Sequence, residues 1–147
     1  MTEHVYLLIG SNLGDRISNL KKAAQRITAS AGAVSKQSGI YKTAAWGKTD
    51  QNDFLNQVLI IDTTLTPEVL LDALLLIEKE MGRVRLEEWG ERIIDIDILY
   101  YGSHTVDMPT LKIPHPHLQN RRCALIPLRE VAPHFVHPVL YKTPQQL

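Results

Sequence analysis

Within the ten residues from Arg92 to Tyr101, the five from Ile94 to Ile98 alternate so strictly that they leave the fold few choices. Arg-Ile-Ile-Asp-Ile-Asp-Ile-Leu-Tyr-Tyr is rich in β-branched and aromatic residues and reads as a strand. Side chains alternate across a strand, so Ile94, Ile96 and Ile98 share one face while Asp95 and Asp97 share the other. The isoleucines need a core, which leaves the acids on the opposite face. Twice the rise per residue puts the two acidic Cα atoms about 7 Å apart. Like charges that close repel unless a cation sits between them. A pair of divalent cations about 3.5–4 Å apart suits that span. Arg92, just upstream, is within reach of a phosphate on the same metals. The strand reads either as a metal–polyphosphate site or as a solvent-facing surface that carries acids.

The chain before this strand supplies its partners. Val5–Ile9 is a compact apolar run bounded by Gly10-Ser11-Asn12 and reads as a central strand. Asp15 offers a helix N-cap, and Ile17, Leu20, Ala24, Ile27 and Ala31 recur at helical spacing before Gly32. Val34–Lys42 reads as a more polar strand at a sheet edge, followed by a loop at Thr43–Asp53. Phe54–Thr63 is a third strand, with Phe54 and Asn56 on one face and Leu55, Leu59 and Ile61 on the other. Thr66-Pro67 opens a second helix, whose stripe is Val69, Leu70, Ala73, Leu74, Ile77 and Met81 and whose stop is Gly82. A second irregular stretch spans Arg83–Glu91.

The order β-α-β, β-α-β predicts a ferredoxin-like split βαβ sandwich of α+β class. Its four-stranded antiparallel sheet carries both helices on one face, with the first and third strands central. The proline-punctuated tail, Gly102–Leu147, is expected to hold short strands near Val106 and Leu111–Ile113 and short helices. At 147 residues with 44% hydrophobic side chains, one globular domain over residues 1–147 is expected. Formal net charge is zero, so no global field draws the chain to nucleic acid or membrane. The single Cys123 excludes an internal disulfide and any cysteine-based zinc site. A zinc site on His115 and His117 would need two further ligands that no spacing suggests. The start of the chain has no signal-peptide pattern and no run reaches the length of a membrane span, so a cytoplasmic protein is expected.

Several motifs recur together. They are Ile9-Gly10-Ser11-Asn12-Leu13-Gly14, Tyr41-Lys42-Thr43-Ala44, Asp53-Phe54-Leu55-Asn56, Glu78 through Gly82-Arg83-Val84-Arg85, Trp89-Gly90-Glu91-Arg92 through Asp95-Ile96-Asp97-Ile98, Ile113-Pro114-His115-Pro116 and Asn120-Arg121-Arg122. In this order, over nearly the whole chain, they resemble the hydroxymethyl-dihydropterin pyrophosphokinase family of folate biosynthesis. The resemblance implies transfer of a pyrophosphoryl group from ATP to the hydroxymethyl of 6-hydroxymethyl-7,8-dihydropterin, with release of AMP. It implies two Mg²⁺ ions on Asp95 and Asp97, one bridging the α- and β-phosphates and one the β- and γ-phosphates. Arg83, Arg92, Asp95 and Asp97 are then the catalytic set. Glu78, Arg85, Trp89, Arg92, Ile98, Lys112, His115 and Arg121 would contact ATP. Thr43, Ala44, Trp46, Phe54, Asn56 and Cys123 would line the pterin seat. The loops at Ala44–Asp53 and Arg83–Glu91 would act as lids. Small-molecule substrates and a monomer are expected.

The chain departs from the pattern at a few positions. Cys123 stands where the family usually has a phenylalanine on the second pterin face. The Arg83–Glu91 loop is one residue short and carries Glu87-Glu88 where a basic residue often precedes the tryptophan. Leu75 takes a position that is often glutamine. Two other classes compete with the enzyme. An RNA-binding module could stack bases on exposed aromatics, but its sheet face would carry acids that repel phosphates. A metabolite-binding regulatory domain without chemistry shares the same fold.

Overall fold

The computed structural model describes residues 2–43, 53–82 and 93–147. Strand β1 (Glu3–Ser11) is central, and every residue from Val5 to Ser11 is buried. It pairs antiparallel with β4 (Phe54–Thr63) on one side and β5 (Asp95–Tyr101) on the other. Strand β2 (Ala33–Gln37) flanks β4, giving the order β2-β4-β1-β5. This is the ferredoxin-like arrangement, with the first and third long strands in the middle.

The expected Val34–Lys42 strand is broken. After β2 the chain leaves the ladder at Ser38–Ile40 and rejoins β4 as β3 (Tyr41–Thr43). Local hydrogen bonds explain the break. The Ser38 hydroxyl takes the Val58 N–H at 2.9 Å, and the Glu130 carboxylate takes the Gly39 N–H at 3.0 Å. Both strands remain at the edge.

Helices α1 (Arg16–Ser30) and α2 (Pro67–Glu80) lie on one face of the sheet, as expected. Asp15 Oδ1 caps α1 by accepting from Ser18 N, and Thr66 Oγ1 caps α2 by accepting from Val69 N. Their buried stripes differ from the expected ones by part of a turn. Leu20, Ala23 and Ile27 face the core on α1, and Leu70, Leu74, Ile77 and Glu78 on α2, whereas Ile17 and Val69 are half exposed. The apolar run on α2 is wider than the strip it buries, so spacing alone could not choose its centre. These helices cover Val5, Leu7, Ile9, Leu59, Ile61, Ile94, Ile96 and Ile98.

The tail supplies the β6–β7 hairpin (Val106–Met108 and Leu111–Ile113), a 3-10 turn at Leu118–Asn120 and helix α3 (Arg122–Val131). Helix α3 packs on the opposite sheet face, where Ala124, Leu125, Leu128 and Val131 meet Tyr6, Leu8, Val58, Ile60, Leu99 and Tyr100. It covers only part of that face. Tyr41 Oη and Gly39 N both donate to Glu130, which ties α3 to the β3 edge.

A β-bulge in β5 makes this two-sided packing possible. Tyr6 opposes Tyr100 and Leu7 opposes Ile98, so Leu99 is an extra residue in the ladder. Leu99 and Tyr100 therefore both reach the α3 side. The carbonyl of Leu99 accepts the His115 N–H at 3.0 Å, which ties the tail to the bulge.

Behind α3, His137 is 4% exposed and its Nδ1 accepts from Val139 N and Leu140 N at 3.1 and 3.0 Å. Burial lowers its pKa below the ordinary 6.5. The folded state therefore resists a proton that the unfolded chain accepts. This contribution to stability is complete above about pH 6.5 and is lost as pH falls toward the lower folded value. Urea unfolding should thus show a lower midpoint at pH 5.5 than at pH 7.5, and His137→Gln should shrink that difference.

Candidate active site

Strand register carries a row of residues across the α3-side face. Tyr41 pairs with Asn56, Asn56 with Gly10, and Gly10 with Asp95. On either side of this row, Thr43 pairs with Phe54 and Leu8 pairs with Asp97. Val58, Ile60 and Leu8 lie on the α3 side, so by the two-residue period Phe54, Asn56, Asp95 and Asp97 point there too. One sheet face thus holds an aromatic ring and an amide at one end of the row and two carboxylates at the other.

Asn56 is 5% exposed, and its Nδ2 donates to Thr43 Oγ1 at 2.8 Å. That bond orients the amide, leaving its Oδ1 toward Gly10. Arg16 reaches back from the first turn of α1, its Nη1 donating to the Asp53 carbonyl at 2.8 Å just before Phe54.

At the acidic end, Arg121 Nη1 donates to Asp97 Oδ2 at 3.3 Å. The two side chains are 34% and 33% exposed, so water screens the pair only in part. Burial alone would lower the Arg121 value, but the neighbouring Cys123 sulfur and Asp97 carboxylate outweigh it and hold the guanidinium above its ordinary pKa. The same Nη1 lies 3.4 Å from His115 Nε2, and His117 N donates to His115 Nδ1 at 3.2 Å. A neutral ring accepts at one nitrogen and so answers one of these donors, whereas a protonated ring would answer neither. Burial is the main cause that lowers the His115 pKa, with Arg121 and His117 adding to it and Asp97 opposing.

Glu78 sits beneath this cluster. It is 4% exposed on α2, and its Oε2 accepts the Ile96 N–H at 2.7 Å, from the main chain between the two acids. Strand β5 is a sheet edge there, and Glu78 answers an outward-facing amide.

The expected residues fall into five groups. Asp95, Asp97, His115, Arg121 and Cys123 come together where α3 begins, and Thr43, Phe54 and Asn56 come together across the row. Glu78 meets the cluster from below, through the main chain. Ile98 has its side chain in the opposite core, and Lys112 is exposed on the hairpin with its Nζ 2.6 Å from Asp107. Ala44, Trp46, Arg83, Arg85, Trp89 and Arg92 lie outside the described residues, as do the Arg83–Glu91 loop and all of the Ala44–Asp53 loop but Asp53. Three contributors were missed. Gly10 was visible only as part of a short Gly-Ser-Asn motif, whereas Arg16 and Glu130 gave no local signal because their partners lie 37 and 91 residues away.

Among the described residues no group of three or more His, Cys, Asp or Glu side chains is placed to hold a metal. The two-histidine zinc arrangement has no third ligand there. The two carboxylates on one strand are hard oxygen donors of the kind that hold divalent cations. That Asp97 already holds a cationic guanidinium fits a seat for positive charge.

Residues 6–133 match the 7,8-dihydro-6-hydroxymethylpterin-pyrophosphokinase family, and the chain belongs to it. It is 43% identical over 138 residues to the 2-amino-4-hydroxy-6-hydroxymethyldihydropteridine pyrophosphokinase of Aquifex aeolicus, covering 94% of this chain and 86% of that one. It is 45% identical over 132 residues to the protein of the same name from Methylorubrum extorquens, covering 89% and 84% of the two chains. Among solved structures, Plasmodium falciparum HPPK-DHPS with pteroate shares the fold, with a TM-score of 0.79 at 18% identity. The alignment covers 99% of this chain and 41% of that longer one. Among the described residues no helix is long and apolar enough to cross a membrane.

The Glu78 contact can be separated from its charge. Glu78→Ala removes the acceptor from a buried amide and should cost on the order of 1–3 kcal/mol of stability. Glu78→Gln keeps an oxygen there and should recover most of it. Urea unfolding followed by circular dichroism compares the two.

Proposed function

We propose that this chain, as one domain over residues 1–147, transfers the pyrophosphoryl group of ATP to the hydroxymethyl of 6-hydroxymethyl-7,8-dihydropterin. AMP is the other product, and the reaction belongs to folate biosynthesis. Family membership supports this reading, and one structural observation carries it. The groups suited to a flat heterocycle and the groups suited to a metal-bound triphosphate flank the same glycine on one sheet face.

In the reaction the alcohol oxygen bonds to the β-phosphorus and gives up its proton. The bond from that phosphorus to the oxygen bridging the α-phosphate breaks, and AMP leaves with the oxygen. Such a transfer asks the protein for in-line positioning and charge neutralisation more than for covalent work. Asp95 and Asp97 would hold two Mg²⁺ ions, whose charge would neutralise that of the triphosphate. Arg121, released from Asp97, turns its planar fork to a phosphate, and His115 stands beside it. Arg83, Arg85, Arg92, Trp89, Ile98 and Lys112 join the nucleotide on the strength of the family likeness. Glu78 serves through Ile96 by fixing the strand that carries the acids.

The pterin rests against Phe54. The Asn56 amide, oriented by Thr43, reads its edge, and the chain at Ala44 and Trp46 closes over it. Cys123 offers the second ring face a thiol in place of an aromatic. The protein acts on small molecules, without nucleic acid, as a cytoplasmic monomer.

Mixed with ATP, Mg²⁺ and the pterin alcohol, the protein should release AMP in step with pterin pyrophosphate, resolved by chromatography. ADP in place of AMP, or no turnover by folded protein, would refute the reading. Asp95→Asn and Asp97→Asn should each slow turnover on the order of a hundredfold or more, with unchanged circular dichroism. Cys123→Phe should tighten pterin binding by about 0.5–1.5 kcal/mol, measured by calorimetry, by restoring an aromatic wall.

A further inference from the structure

Glu130 stands where a helix disfavours it. It lies in the last turn of α3, and a carboxylate there opposes the helix dipole. Its oxygens answer a different element. Both accept the Gly39 N–H, at 3.0 and 3.2 Å, and Oε1 also accepts from Tyr41 Oη. These donors bracket the entry to β3. That strand is three residues long, none of them buried, and among the described residues it pairs with β4 alone. Helix α3, by contrast, is seated by Ala124, Leu125, Leu128 and Val131. Of the two elements that Glu130 joins, β3 is therefore the one that needs holding. It also carries more than its ladder. Its last residue, Thr43, accepts from Asn56 Nδ2 at 2.8 Å and so sets which way that buried amide points. An amide turned over would exchange its donor and its acceptor. A chain of contacts thus runs from Glu130 through Tyr41 and Thr43 to Asn56.

We propose that Glu130 is a positioning residue for the acceptor. It holds β3 where Thr43 can fix the Asn56 amide, and it acts on recognition of the ring only through that amide. This inference rests on the acceptor reading given above. Arg121, before the first turn of α3, is held by Asp97 and does not depend on the link to β3. Loss of Glu130 therefore weakens binding of the acceptor and spares the nucleotide. A tie that served folding alone would favour neither ligand.

The test uses Glu130→Ala, with two readouts. Calorimetry measures binding of α,β-methylene ATP with Mg²⁺, and then of 6-hydroxymethylpterin to that complex. The variant should bind the pterin about five- to tenfold more weakly than the unaltered protein does, and the nucleotide equally well. In the ligand-free protein, the side-chain amide resonances of Asn56 should shift in the variant. Equal losses for pterin and nucleotide, or no loss for either, overturn the proposal. In a Thr43→Val background, where the amide is already released, Glu130→Ala should weaken pterin binding no further, and a full additional loss overturns it too. If Glu130→Ala does not fold, Tyr41→Phe decides, because it leaves the Gly39 hydrogen bond in place. It should shift the Asn56 amide and weaken pterin binding by about two- to threefold, and a change in neither overturns the proposal. If the unaltered protein binds no pterin, the acceptor reading falls and takes the inference with it. An unmoved Asn56 amide in folded Glu130→Ala overturns the inference alone.

Discussion

Two carboxylates on one face of one strand repel, and much of the site answers that repulsion. Asp95 and Asp97 cannot turn inward, because the isoleucines between and beside them fill the core under α1 and α2. Positive charge must therefore come to the acids. Arg121 is brought by α3, and the α3 packing that fixes it uses the same sheet face on which the acids stand. Glu78 steadies the strand from the other side without adding a cation. The tail is thus part of the site as well as a cover for the sheet.

The sheet has two apolar faces with different duties. Under α1 and α2 the core is continuous, from Val5 to Ile98. Under α3 it stops short, and the strip from Tyr41 to Asp95 is where polar residues collect. The boundary is held by contacts between distant segments, with Glu130 binding the β3 edge and His115 N binding the Leu99 carbonyl. One face of the sheet supplies a continuous apolar core, while the other gathers polar side chains beside α3.

Elements with a local signal were legible in the sequence. Alternation gave β5 and the direction of its acids, caps and glycines gave both long helices, and strand order gave the sheet. Positions set by distant partners were not legible. The break at Ser38–Ile40 depends on Val58 and Glu130, and the exposure of Val69 depends on which part of a wide apolar face the sheet selects. Asn56 and the two acids stood out by residue type. Gly10 did not, because the side chain that a Cβ there would meet, Asn56, stands on a neighbouring strand.

The extra residue at Leu99 changes the phase of β5. Upstream of it, odd-numbered residues face the α3 side; downstream, even-numbered ones do. A single strand therefore reads in one parity where it offers acids and in the other where Tyr100 joins Tyr6 and Phe135. The acidic end and the aromatic end are out of step by one residue. Each can keep its own inside–outside pattern without dictating the other's, and the carbonyl at the point of slippage gives the His115 segment its anchor.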